Sequence, residues 1–213
     1  MTLRIAVFGT GHMAGALARH WVGHDYELAV SGRSPESTAR LATELGARAL
    51  PWRAAAEWAD VVLLAVHWAG VDEALTLAGA DEETLAGKVI IDCGNPVEVQ
   101  RFTLADRDRS LARHIQDRTG SRVVKAFNLA QVKVWEHMPD YDGRALVAPM
   151  AGDDADAKAI VSRLVTAVGA QALDTGDLEH AAYLEAMGAV IIRILFGGAD
   201  PTTVFNLVDA VEA

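Results

Sequence analysis

The sequence predicts an α/β protein: an open, doubly wound and mainly parallel sheet carrying a small helical C-terminal extension. Three observations predict it. Short apolar runs alternate with stretches of helical spacing along the first 150 residues. The runs are apolar on both faces, as strands covered by helices on each side require. Finally, 213 residues at 51% hydrophobic content suffice for one main domain and an appendage.

The runs at Leu3–Phe8, Glu27–Val30, Val61–Val66, Val89–Cys93, Val123–Phe127 and Ala145–Met150 are the strand candidates, mostly rich in Val, Ile and Leu. Between them, Met13–Val22, Pro35–Leu45, Val71–Ala78 and Ser110–Arg118 place apolar residues at helical intervals. Ser34-Pro35-Glu36 supplies a capping hydroxyl and a proline at the first helical position, and Gly46 follows as a stop. Asp153 and Asp154 precede a helix expected to begin near Ala155, where the dipole favours acids. Leu178–Leu195 reads as a long helix apolar on most faces, which must be buried within the chain or against a partner. Asp200-Pro201 repeats the helix-start signal. Residues 1–150 are therefore expected to form the sheet domain and 151–213 the smaller helical extension.

Charge and composition narrow the function. The formal charge is −10, which disfavours nucleic acid, because an acidic surface repels a phosphate backbone. Residues 151–213 hold ten acids and three bases, leaving only −3 on the first 150. Uncharged stretches such as Val61–Val71 run to about a dozen residues, short of the ~20 needed to span a bilayer. A lone cysteine, Cys93, and the short apolar run at the start make the cytoplasm the expected compartment, with no membrane partner.

The most informative stretch is Gly9-Thr10-Gly11-His12-Met13-Ala14, directly after the first strand. Gly9 suits the tight turn, Gly11 lets backbone approach a pyrophosphate, and Ala14 keeps the helix close to the sheet. The helix start offers free N–H donors, which makes the fold Rossmann-like and Gly9–Met13 the dinucleotide loop. An NAD site wants an acid about 20 residues onward to bond the ribose. Here the second strand ends Ser31-Gly32-Arg33-Ser34, with hydroxyls and a guanidinium suited to a 2′-phosphate. NADP(H) is the expected cofactor, although Arg33 also reads as a solvated surface residue and Ser34 as a helix cap.

Together with later motifs, these residues resemble the coenzyme F420-dependent NADP reductases, themselves similar to the N-terminal domains of pyrroline-5-carboxylate reductases and 6-phosphogluconate dehydrogenases. The resemblance rests on Gly9-Thr10-Gly11, Ser31-Gly32-Arg33, Asp92-Cys93-Gly94-Asn95-Pro96, Lys125-Ala126-Phe127-Asn128 and Ala151-Gly152-Asp153-Asp154. Gly176-Asp177-Leu178-Glu179 and Leu184-Glu185 extend it to about residue 195. The chain departs from the family pattern at His67 and after Glu185, where family members often carry proline, and in the final stretch from Phe196. The resemblance implies hydride exchange between NADPH and a second redox cofactor, coenzyme F420 or a flavin.

Ligands in such sheets lie beyond the carboxyl ends of the strands. That rule gathers His67, Trp68, Asn95, Pro96 and Asn128 over the nicotinamide, a placement the resemblance also implies, and Ala65 and Val66 before them are further cofactor-binding candidates. His67 is the candidate proton donor, its ordinary pKa of ~6.5 suiting that role, and the alternative is a pocket wall. Lys125 either turns away from the apolar face, pairs with an acid, or is buried with a lowered pKa. Without a clear acid–base pair, hydride transfer between two cofactors fits better than carbonyl reduction, which needs a proton donor. Reduction of a small carbonyl or imine, and a non-catalytic NADP-sensing module, are the alternatives. No metal is expected: His20 and His24 lack a third ligand, and Asp153-Asp154-Ala155-Asp156 lacks calcium-loop spacing. The Leu178–Leu195 helix is expected to join two copies in a homodimer.

Overall fold

The computed structural model describes residues 2–138, 143 and 145–198. Its centre is an eight-stranded sheet. β1 (Leu3–Phe8), β2 (Tyr26–Ser31) and β3 (Arg48–Ala49) form one wing, and β4 (Val61–Leu64), β5 (Val89–Asp92) and β8 (Arg122–Lys125) form the middle. β9 (Val147–Gly152) and β10 (Gln171–Asp174) close the other edge, giving the order β10-β9-β8-β5-β4-β1-β2-β3. Among the described residues, the β8–β9 pairing is the one antiparallel pairing of this sheet. A separate hairpin, β6 (Val97–Glu98) and β7 (Thr103–Leu104), follows β5.

Strand alternation splits β1 between two cores, Ile5 and Val7 on one face and Ala6 and Phe8 on the other. The first face is covered by α1 (His12–Arg19), α2 (Pro35–Leu45), α6 (Val132–His137) and α7 (Ala155–Val168). The second is covered by α3 (Trp52–Trp58), α4 (Val71–Leu77), α5 (Leu111–Thr119) and the start of α8 (Ala181–Phe196). Each fully buried Leu or Ile in these layers contributes about 1.5–3 kcal/mol relative to exposure. The doubly wound, Rossmann-like expectation is thus borne out.

Local chemistry accounts for the element ends. Ser34 Oγ accepts the Ser37 N–H at 3.2 Å, Pro35 opens α2, and Gly46 closes it with φ +61°. Asp154 accepts the Ala157 N–H at 2.7 Å and so starts α7 where the acids suggested.

Two expectations need correction. The sheet does not end at residue 150: β9 runs across that position and β10 adds a further parallel strand, because Val147–Gly152 finds an open edge on β8. Leu178–Leu195 is not one helix, since Leu178–His180 forms a 3-10 turn ahead of α8. Nor is α8 covered all round: Leu184, Glu185, Gly188 and Ala189 are buried, while Tyr183, Met187 and Val190 face outward. The Asp200-Pro201 signal lies outside the described residues.

Candidate cofactor site

β1 delivers the chain to Gly9, whose φ of +116° belongs to glycine alone. A Cβ there would also collide with the Ala65 carbonyl oxygen, so this glycine lets the first loop sit against the end of β4. The Gly9 N–H donates to Ser31 O at 2.8 Å, tying the loop to β2. At Gly11 a Cβ would meet nothing within 4 Å: the space in front of that backbone is open. Gly11 caps α1 with no side-chain hydrogen bond, and the first turn holds no acid. Its leading N–H groups therefore have no partner within the helix and face a positive dipole end outward. These are the features that an anion such as a pyrophosphate requires.

A cavity of about 580 Å³ opens over this loop. It gathers Gly9, Thr10, Gly11, Arg33, Ser34, Ala65, Val66 and His67 from three separate loops. Arg33 is exposed and, among the described residues, makes no salt bridge. The Ser34 hydroxyl, while accepting from Ser37, keeps its own proton free to donate. Thr10 lies so close to Gly32 that a Cβ on Gly32 would come within 2.6 Å of Thr10 Cγ2.

Other expected residues lie elsewhere. Ser31 is fully buried and its Oγ donates to Leu50 O at 2.6 Å, because the side chain at the end of β2 turns toward the sheet edge. Its hydroxyl is thus not among the groups offered to a phosphate. His12 lines a neighbouring cavity of about 240 Å³ and Met13 is half-buried; neither lines the main cavity. Pro96 lines a third space of about 330 Å³, which shares Ala69 with the main cavity.

Asn95 and Asn128 bind each other. Asn95 Nδ2 donates to Asn128 O at 2.7 Å, and Asn128 Nδ2 donates to Asn95 Oδ1 at 2.9 Å and Leu184 O at 3.0 Å. Asn128 Oδ1 is buried without a partner among the described residues. Neither side chain lines the main cavity.

His67 opens the 3-10 turn Trp68–Gly70 and its Nδ1 accepts the Ala69 N–H at 3.3 Å. A neutral ring held this way carries its proton on Nε2. The cavity also includes Trp52, Glu73, Ala74 and Leu77, none expected from sequence. The helical spacing of Val71–Ala78 located α4, but which of its faces meets the cofactor loop depends on how the helix lies on the sheet.

Lys125 is fully buried and paired with acids. Its Nζ donates to Asp92 Oδ2 at 2.8 Å, Glu185 Oε1 at 2.8 Å and Gly94 O at 2.6 Å. Burial alone would lower the ammonium, yet Asp92 and Glu185 together outweigh it and leave Lys125 raised, which corrects the lowered-pKa alternative. Burial pushes the Glu185 carboxyl up, against the pull of Lys125. The Cys93 thiol is buried and pushed up to about 12, chiefly by desolvation, which makes it an inert core group. Among the described residues no three His, Cys, Asp or Glu side chains converge as a metal site would need.

Residues 4–96 match the family of coenzyme F420-dependent NADP oxidoreductases. This is the family that the motifs resemble, and the matched segment contains every wall of the main cavity. The chain is 27% identical over 205 residues to the F420-dependent NADP reductase of Methanothermobacter marburgensis, covering 91% of this chain and 85% of that protein. It is 30% identical over 200 residues to rat metalloreductase STEAP3, covering 93% of this chain but only 38% of that much longer protein. A solved structure from Arthrobacter sp. FB24, provisionally named an F420-dependent NADP-reductase, superposes with a TM-score of 0.79 at 27% identity, covering 91% of this chain and 93% of that one. The Coxiella burnetii pyrroline-5-carboxylate reductase shares the fold at a TM-score of 0.64 and 19% identity, over 95% of this chain and 74% of that one.

Proposed function

We propose that this chain binds NADP(H) in the 580 Å³ cavity and moves hydride between NADPH and a second redox cofactor, such as coenzyme F420 or a flavin. One observation carries the reading: the start of α1, which no side chain caps, and Arg33, which has no ion pair among the described residues, share that cavity. The first suits a pyrophosphate and the second a 2′-phosphate. Arg33, Ser34 and Thr10 hold the 2′-phosphate, while Gly9–Met13 hold the pyrophosphate through backbone N–H groups. NADPH supplies the hydride; the chain supplies orientation and exclusion of water. The similarity to the Methanothermobacter reductase supports coenzyme F420 as the acceptor.

The second reading, reduction of a carbonyl or imine, is favoured by His67, whose Nδ1 accepts a backbone N–H and leaves Nε2–H free at the cavity. Purified protein with NADPH separates the readings. Loss of NADPH absorbance with coenzyme F420 or a flavin supports the first. Loss only with carbonyl compounds or imines, abolished in His67→Ala without loss of NADPH affinity, supports the second. Tight binding with no acceptor used would point to a sensing module.

No helix among the described residues is long and apolar enough to cross a membrane. We place the protein in the cytoplasm, as a homodimer joined through the outward stripe of Tyr183, Met187 and Val190 on α8. Light scattering at micromolar concentration tests the dimer, and a Met187→Lys/Val190→Lys double variant should return it to a monomer.

A further inference from the structure

We infer that Glu185 is a positioning residue for the nicotinamide half of the cofactor site, through which α8 sets the turns after β5 and β8. The inference rests on the NADP(H) reading above. Those turns, Gly94–Pro96 and Phe127–Asn128, lie one and two strands beyond β4, about 5 and 10 Å along the sheet. The residues after β4 already line the cavity, and ligands lie past the carboxyl ends of such strands.

An ammonium has three donors, and Lys125 spends all of them: one on Asp92, one on Glu185 and one on Gly94 O. Asp92 Oδ1 accepts the Gly94 N–H at 2.8 Å, so both backbone groups of Gly94 are fixed. Asp92 alone would neutralise Lys125. Glu185 adds a second buried carboxylate, a costly group unless its remaining lone pairs are used. They are: Oε2 accepts the Leu111 N–H at 3.0 Å and Oε1 the Ala112 N–H at 3.3 Å, at the start of α5. One α8 side chain therefore fastens the ends of β5 and β8 and the start of α5 together.

The same face of α8 grips the asparagines. Leu184 O accepts from Asn128 Nδ2, and Gly188 leaves just enough room for the Asn95 amide, which a Cβ there would strike. Phe127 sits at φ +66°, a left-handed conformation that an L side chain avoids unless its surroundings impose it.

The test uses the whole chain and two variants, Glu185→Gln and Gly188→Ala. The second replaces glycine with a better helix former, so a loss there does not come from weakening α8. Adenosine 2′,5′-bisphosphate, which fills only the adenosine half, is titrated by calorimetry, and NADPH by its fluorescence. We expect both variants to weaken NADPH about tenfold or more while holding the bisphosphate within about twofold. A group that only supports folding would shift the melting temperature and both ligands together. Equal losses for the two ligands, or unchanged NADPH affinity in Glu185→Gln, would overturn the inference and leave the cofactor reading standing. If wild-type protein fails to bind the bisphosphate, the cofactor reading itself is overturned and this inference with it.

Discussion

Arg33→Ala is the sharpest perturbation of the cofactor assignment. Arg33 is exposed and makes no salt bridge among the described residues, so its removal breaks no ion pair there. A guanidinium donating to a phosphate is a charged hydrogen-bonding pair, contributing about 1.5–3 kcal/mol when sheltered. Arg33 is open to water, which lowers the bottom of that range to about 1 kcal/mol. At 1.4 kcal/mol per factor of ten, NADPH binding should weaken by roughly 5- to 150-fold. NADH lacks the 2′-phosphate and should bind both proteins alike. Fluorescence titrations of each cofactor against each protein measure the four dissociation constants. Raising the salt adds a control, because screening at ~1 M contracts the Debye length to about 3 Å and should narrow the gap between wild type and variant. The specificity argument is refuted if NADH and NADPH lose affinity equally.

Other consequences follow from the same geometry. Gly9→Ala combines a forbidden φ with a collision at Ala65, so it should cost at least ~2 kcal/mol and lower the melting temperature by about 4–8 °C. Thermal unfolding followed by circular dichroism checks this, and an unchanged melting temperature would contradict the loop geometry. Lys125→Met leaves Asp92 and Glu185 buried with no countercharge and should destabilise by about 3–5 kcal/mol in urea titrations. A smaller loss, below ~1 kcal/mol, would mean that water reaches the cluster. The Glu185 carboxyl is raised above its ordinary 4.5, first by burial. The folded state therefore holds this proton more tightly than the unfolded one. Its contribution to stability is full below 4.5 and is lost as pH rises through the raised folded value. Glu185→Gln should remove that segment of the pH–stability curve, which urea titrations across a pH series would reveal.

Sequence patterns carried the elements whose signals are local. β1 and α2 occupy the residues expected of them, since a six-residue apolar run and a Ser-Pro start with a Gly stop need no distant partner to be recognised. α3 and α6, seven and six residues long, escaped notice because neither has a side-chain cap or an acid in its first turn. β10 escaped for a different reason: Gln171–Asp174 is an edge strand, largely exposed, and lacks the apolar run that marked the central strands.

The site divides along the same line. The −10 charge argued against phosphate ligands in general, yet Gly9–Gly11 and Arg33–Ser34 marked a local exception legible in the chain alone. Loop glycines and a missing acid are properties of short segments, so sequence determines them. Sequence could not decide that Ser31 turns inward to Leu50, or that α4 supplies Glu73, Ala74 and Leu77 to the cavity. Nor could it place Lys125 between Asp92 and Glu185, 33 and 60 residues away. Those facts depend on which strands become neighbours and which face each helix lays on them. A buried charge finds its partners only when the tertiary fold removes water and brings distant carboxylates within reach.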